Sequence, residues 1–206
     1  MTKRVQRKYH SPTREQQSKQ TRERILDAAR RMILNKGFAD ATIESIATEA
    51  GVAPPTVYAA FGSKRGIVQG LMERAAFNSD YRTLVREARQ SDSPATRLRH
   101  AVKIARRIYD SLRSESEVLR GATAVAPDFV REKDQLRYER QAGLIRLLEE
   151  QSALRSDLTA AAARDILWTL TSYDVHRRLV VERKWSGDRY EQWLGDTLVH
   201  ALLKSK

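Results

Sequence analysis

The chain has 206 residues, 41% of them apolar, with nine glycines, five prolines and no cysteine. This length supports one large domain or one small plus one larger domain, and the composition excludes a disulfide framework and thiolate chemistry and in its abundance of Ala, Leu, Arg and Glu favours an all-helical fold. A formal net charge of +12 points to a polyanionic partner, and the absence of any long apolar run or apolar leader argues for a soluble, cytoplasmic chain with no membrane partner.

The charge is uneven. Residues 1–66 carry 13 Lys/Arg against 6 Asp/Glu, and residues 67–206 carry 25 against 20, so charge density peaks in the N-terminal third. Residues 1–15 lack periodicity and read as a flexible basic arm, with a solvated tail and a nucleic-acid contact as the two readings. From Gln16 the pattern is helical: Ile25, Ala28, Ala29 and Met32 share one face, and Gly37 can end the helix in a left-handed conformation. Thr42 is placed to cap a short helix bearing Ile43, Ile46 and Ala47, which Gly51 closes. A second short helix is expected from Pro55 to Phe61, and Ser63 can cap a fourth running through Leu71 and Ala75. Ser93-Pro94 is a strong start signal for a longer helix with the stripe Leu98, Ala101, Val102, Ala105, Ile108, Tyr109 and Leu112. A short helix over Glu117–Val125 follows, then a long one from Pro127 carrying Leu136, Ile145 and Leu148. "SALRSDLT" reads as a loop, Thr159 caps a helix expected to reach Arg183, "KWSGD" breaks it, and a last helix shows Tyr190, Trp193, Leu194, Leu198 and Leu202.

Two short helices joined by a glycine turn fit a helix-turn-helix unit, whose second helix enters the DNA major groove. A small helical hairpin buried in a bundle has the same spacing. "TRERILDAARRMILNKGFADATIESIATEAGVAPPTVYAAFGSKRGIV" also resembles the DNA-binding domain of the TetR family of bacterial transcription regulators, in "ILDAA", "GF" followed by "TIESIA", "AGV" at the turn, "TVYAAF" and "SK". The resemblance implies a DNA-binding domain over 16–66 and a larger helical domain over 67–206, about nine helices in all, that binds a small-molecule effector and dimerises. It implies a repressor released from a near-palindromic double-stranded operator when the effector binds, with no cofactor.

Carried over residue by residue, the resemblance sets Thr42, Tyr58 and Lys64 against phosphate; Ala53, Pro54, Pro55, Thr56 and Ala59 are candidates to face DNA because the first turn of such a second helix meets the bases. Hydroxyl and ammonium groups of this kind fix register without reading sequence. Ile46, Ala47, Val52, Val57 and Phe61 are assigned to packing. Ala53, Pro55 and Ala60 stand where the family usually has Ser or Thr, often Gly, and often His or Tyr. The arm residues Lys3, Arg4, Arg7, Lys8 and Arg14 are candidates to replace the lost backbone contacts. Because a proline disfavours the α conformation in the residue before it, Pro54 is expected to be an extended cap and Pro55 the first helical residue. The resulting apolar tip suits thymine methyl groups better than hydrogen-bonding base edges.

In the larger domain, Tyr109, Tyr138, Trp168, Tyr173 and His176 are aromatic or polar side chains at core-like positions and are candidate pocket residues, although aromatics at helical spacing more often belong to a packed core or interface. The closing helices resemble the family's dimerisation pair, which implies interface roles for Leu170, Trp193, Leu194, Leu198 and Leu202. The four histidines have no metal-ligand spacing, and no phosphate loop or nucleophile elbow is present, so no catalytic or metal residue is expected. The competing reading is an architectural or weakly specific DNA-coating protein without an effector.

Overall fold

The structure, a computed structural model, describes residues 12–118 and 126–204. The chain forms α1 (Pro12–Asp40), α2 (Ile43–Ala50), α3 (Pro54–Phe61), α4 (Lys64–Ala76), α5 (Ser79–Gln90), α6 (Pro94–Val118), α7 (Ala126–Glu150), α8 (Ala160–Leu170), α9 (Tyr173–His176) and α10 (Gly187–Leu202), with a π-helical turn over Arg177–Glu182 after α9. The described residues contain no strand beyond one isolated bridge pair, Leu154 with Leu203. The chain is thus all-α, as its composition implies. It divides into two compact units, one reaching Leu71 and the other starting at Met72, so the division falls inside α4.

The first unit closes on a small core. Ile25, Leu26, Ala28, Ala29, Met32 and Ile33 of α1 meet Ile43, Ile46 and Ala47 of α2, Val57 of α3, and Ile67 and Val68 of α4, all buried. The 3.6-residue period places these on one side of each helix, and their removal from water drives the assembly. Gly37 breaks α1 with φ 84°, and Gly51 ends α2 at φ 65°, positions that only glycine adopts without steric cost. The second unit is centred on Leu98 and Val102 of α6, Ile145 and Leu148 of α7, Ala163 and Leu167 of α8, and Tyr190, Leu194, Leu198 and Leu202 of α10.

Several boundaries differ from expectation. The first helix begins at Pro12 rather than Gln16. α5 was not anticipated; Asn78 caps it, accepting from the Tyr81 N–H at 3.1 Å. The helix expected over 117–125 lies mostly outside the described residues, with Glu117 and Val118 at the end of α6. Leu136 is 37% exposed instead of facing the core. The helix expected to run from Thr159 to Arg183 is interrupted after Leu170. There the Thr171 hydroxyl donates back to the Leu167 carbonyl at 2.7 Å, and the extended Ser172 caps α9, so two small hydroxyl residues offer the backbone an alternative to the helical ladder. Arg137 donates to the Trp168 carbonyl at 2.8 Å and Tyr109 donates to the Thr171 carbonyl at 2.9 Å, which satisfies carbonyls released by the break.

Candidate nucleic-acid interface and effector cavity

The α2–turn–α3 unit is held from three sides. Thr42 caps α2 by accepting from the Ser45 N–H at 3.1 Å, which leaves its hydroxyl proton free to donate outward. The recognition helix differs from expectation at its start. Ala53 (φ −77°, ψ 146°) is the extended cap, and Pro54 and Pro55 are the first and second helical residues. The steric bias imposed by Pro55 on Pro54 is a preference only, and neither residue loses anything by lacking an N–H, because both positions precede the first helical acceptor. The first turn closes instead through Thr56, whose N–H donates to the Ala53 carbonyl at 2.9 Å.

One residue of α3, Val57, is fully buried and anchors the helix; Phe61 is partly buried at its end. Ala53, Pro55, Thr56, Tyr58 and Ala59 are exposed, Tyr58 by 50%, and Pro54 is half-buried. Tyr58 is thus a surface ring and not a core one. Arg22 fastens the far end of α3 by donating to the Ala60 carbonyl with its guanidinium 4.0 Å from the Phe61 ring centre. α4 approaches the same end closely. A Cβ on Gly66 would lie 1.9 Å from the Phe61 carbonyl oxygen, and one on Gly70 would lie 2.8 Å from the Phe61 ring. Neither Arg22 nor the two glycines was singled out from the sequence, since an arginine on a helix and glycines within one carry no local signal of what they meet.

Lys64 is placed at the start of α4, but its ammonium is already engaged: Nζ donates to the Ala39 carbonyl at 3.1 Å and sits 4.2 Å from the Phe38 ring centre. Burial lowers its pKa, opposed by the neighbouring Asp40 carboxylate. Two ammonium protons remain for another acceptor. The arm residues Arg4, Arg7 and Lys8 lie outside the described residues.

The second unit contains a cavity of about 750 Å³ bounded by α5, α6, α7 and Phe77. On α6 the wall is Arg97, Ala101, Ile104, Ala105, Ile108, Tyr109 and Leu112, which shares Ala101, Ala105, Ile108, Tyr109 and Leu112 with the apolar stripe read from the sequence. Val85, Ala88, Leu144 and Leu147 complete the apolar lining, and Arg89, Lys133, Asp134, Arg137, Arg140 and Gln141 add polar groups. Volumes of this order suit drug-sized ligands. Of the five pocket candidates, only Tyr109 reaches the cavity. Its hydroxyl is buried, which pushes its pKa up to about 12, so it remains a donor to Thr171.

The other four belong elsewhere. Tyr138 stacks under Arg164 at 3.6 Å and donates to Asp165 at 3.0 Å, while Trp168 meets the Tyr138 ring edge-on at 5.8 Å. Tyr173 packs on Tyr109 with ring centres 5.4 Å apart. His176 is fully buried between Tyr109 and Tyr190, with Nε2 3.1 Å from Asp110. Of these four only His176 is buried; Tyr138, Trp168 and Tyr173 are half-buried rings outside the cavity, whose wall is mainly aliphatic. No group of three or more His, Cys, Asp or Glu among the described residues is placed to hold a metal.

The interface candidates also divide. Leu194, Leu198 and Leu202 have no exposed surface, being enclosed by α6, α7 and α8 of the same chain, which corrects their assignment to a partner. Trp193 is 37% exposed and Leu170 is partly buried.

The family model for "Bacterial regulatory proteins, tetR family" matches residues 25–71. The chain is 39% identical over 56 residues to the uncharacterised HTH-type transcriptional regulator TtgW of Pseudomonas putida, covering 27% of this chain and 42% of that protein. It is 36% identical over 58 residues to the uncharacterised HTH-type transcriptional regulator YvkB of Bacillus subtilis, covering 28% of this chain and 31% of that one. These matches thus span less than half the length of either relative. Over most of its length the fold is similar to that of SmeT, the repressor of a Stenotrophomonas maltophilia multidrug efflux pump, with a TM-score of 0.59 at 22% identity over 91% of this chain and 93% of that one. The likeness in sequence is thus carried by the helix-turn-helix segment, where residues 25–71 match the tetR family of bacterial regulatory proteins.

Proposed function

We propose that the protein is a sequence-specific transcription regulator, a repressor whose hold on its operator is relaxed by a small molecule in the α5–α6–α7 cavity. The observation that carries the first half is the exposed face of α3. Thr56, Tyr58 and Ala59 stand clear of a core anchored by Val57, and the Thr42 hydroxyl caps the adjacent helix. Tyr58 and Thr42 supply phosphate contacts, while Pro55, Thr56 and Ala59 meet base edges and thymine methyl groups. The basic arm adds backbone affinity that weakens with salt. The apolar cavity with a few polar groups supports the second half.

The working form is a homodimer on a near-palindromic site, in the cytoplasm. Because Leu194, Leu198 and Leu202 are spent on the chain's own core, the partner-facing surface falls to Trp193, Leu170 and the partly exposed Ile166, Val199 and Ala201. The protein acts without a cofactor and is not an enzyme.

Selection of bound fragments from sheared genomic DNA, followed by fluorescence anisotropy on the recovered site, tests this reading. A regulator retains the selected site when non-specific duplex is in a hundred- to thousand-fold excess; the specificity ratio for such proteins is typically ~10³–10⁷. Loss of the preference under competition would replace regulation with DNA coating. A monomeric mass at micromolar concentration would remove the dimer.

A further inference from the structure

Arg97 is the anomaly in the cavity wall. It sits near the start of α6, four residues before Ala101 and seven before Ile104, on the apolar face. Its side chain is only 10% exposed. Nε and Nη1 are buried and have no hydrogen-bond partner. Among the described residues its ion-pair partner is Asp92, 4.0 Å from Nη2 and itself fully in water, so it supplies little compensation. A guanidinium held away from water with two nitrogens unpaired is costly, and it has a planar fork of donors suited to a carboxylate or phosphate.

The remaining cations of the wall are in a different condition. Lys133 is paired with Glu73 at 2.7 Å. Arg137 is paired with Asp134 at 2.5 Å and also donates to Trp168 and Thr171. Arg89 and Arg140 are exposed. Arg97 is therefore the buried cation of the cavity wall whose nitrogens are left open. From it the apolar face of α6 continues through Ile104 and Ile108 to Leu112, a stretch of fifteen residues or roughly 22 Å at the helical rise. The wall thus has a charged end followed by an extended apolar run.

We propose that the cavity takes an anionic amphiphile, an apolar chain ending in a carboxylate or phosphate, and that Arg97 is its head-group site. This rests on the reading of the cavity as a ligand site. The apolar tail lies along the α6 stripe and against Leu144 and Leu147, and the acid group supplies the partner that Arg97 lacks. Ligand entry then removes an unpaired buried charge as well as covering apolar surface, so binding stabilises the second unit by more than tail burial alone.

Isothermal titration of the full chain with decanoate, decyl phosphate, 1-decanol and decyltrimethylammonium, all below their micelle concentrations, tests the proposal. One or both acids should bind on the order of 10- to 100-fold tighter than decanol, the range for hydrogen bonds to a charged group. The stronger of the two identifies the head group. In Arg97→Met the preference for acids should shrink to within about twofold while decanol still binds, and Arg97→Lys should keep part of it. Without ligand, Arg97→Met should melt higher than the wild type by about 2–4 °C, since it replaces an unpaired buried cation with an apolar chain of similar reach. Leu144→Trp, which fills the cavity, should abolish all binding.

Equal affinity for decanol, preference for the ammonium, an acid preference that survives Arg97→Met, or no binding by any probe would overturn the proposal. Operator affinity measured with the same ligands separates it from the reading above. Arg97-dependent acid binding that leaves operator affinity unchanged would defeat effector control and leave the head-group site standing. Operator release by the ammonium or the alcohol alone would do the reverse.

Discussion

The two units treat the cationic side chains at their functional elements in opposite ways. In the first, Arg22 is pinned to the Ala60 carbonyl and the Phe61 ring, and Lys64 to the Ala39 carbonyl and the Phe38 ring, so each positive charge braces the helices that carry α3. In the second, Arg97 is buried beside about 750 Å³ of unfilled space with two nitrogens unpaired. The first unit packs α4 closely against the end of α3 at Gly66 and Gly70, and the second keeps unfilled space and an unmet charge at its own functional element. A surface that must dock on a rigid duplex gains from preorganisation, whereas a site that must respond to a ligand needs something for the ligand to change.

The largest effect should come from taking away the close approach that fixes α3. Gly66→Ala would set a methyl group 1.9 Å from the Phe61 carbonyl oxygen, a backbone atom that cannot rotate aside. The end of α3 or the start of α4 must shift, at a cost of about 3 kcal/mol, near the upper end for overpacking. Operator binding should be lost, and thermal melting should show the first unit destabilised while ligand binding in the second survives. Unchanged operator affinity would mean that α3 is not held by this contact.

A smaller effect is expected where the second unit does pin its charges. Asp110 lies 3.1 Å from His176 Nε2 and 3.3 Å from Arg106 Nε, joining α6 to α9. Burial pushes the Asp110 carboxyl up, but the bonds and charges of His176 and Arg106 outweigh it and hold the group below the usual carboxylate range. A carboxylate with a depressed folded pKa stabilises the protein above its unfolded value, about 4, and the benefit disappears as pH falls through the lower folded value. Asp110→Asn should therefore cost about 2 kcal/mol near neutrality, by loss of charge-assisted bonds. The gap between mutant and wild type in denaturant titrations should narrow as pH drops below 4. A gap independent of pH would assign the cost to packing.

The same contrast governs how much could be read from the chain. In the first unit, spacing and caps located every helix, the buried face and the exposed residues of α3, because each signal is local: Thr42 caps, Gly37 and Gly51 stop, Val57 anchors. The error at the prolines was one of degree, since the bias against a helical residue before proline is too weak to decide between Pro54 and Pro55. In the second unit the α6 stripe was legible, but its use was divided. Leu98 and Val102 went to the core, while Ala101, Ala105 and Ile108 went to a cavity, and which neighbour each meets depends on α5 and α7. Four of the five candidates missed the cavity: His176 went to the core, Tyr173 onto Tyr109, and Tyr138 and Trp168 onto each other, partners that helical spacing alone does not reveal. Arg97 carried a readable signal, an arginine at an apolar register position. The Thr171-Ser172 break was likewise written in two adjacent helix-interrupting hydroxyls.

Below these in size come the direct contacts of the DNA surface. Tyr58 is half exposed and supports no core packing, so Tyr58→Phe should leave the melting temperature within about 1 °C while weakening operator binding roughly fivefold, the worth of one neutral hydrogen bond. Anisotropy titrations on specific and unrelated duplexes should show the same loss on both, as befits a phosphate contact. A loss confined to the specific site would make Tyr58 a base reader.

Pro55→Ala should have the smallest effect on stability and the most informative one on recognition. Pro55 is the second residue of α3, where the N–H has no helical acceptor, so alanine restores a donor without repairing a bond. The native backbone suits either residue, and the change costs only the extra freedom of the unfolded chain, under about 1 kcal/mol. The restored N–H and the lost ring lie on the exposed first turn, beside Thr56. If that turn meets thymine methyl groups through its apolar surface, the variant should bind its selected site less well and tolerate thymine-to-uracil replacement better than the wild type does, since each removes one side of the same contact. Additive losses from the mutation and the replacement would show that Pro55 and the methyl group do not touch, and would move base reading to Thr56 or to the arm.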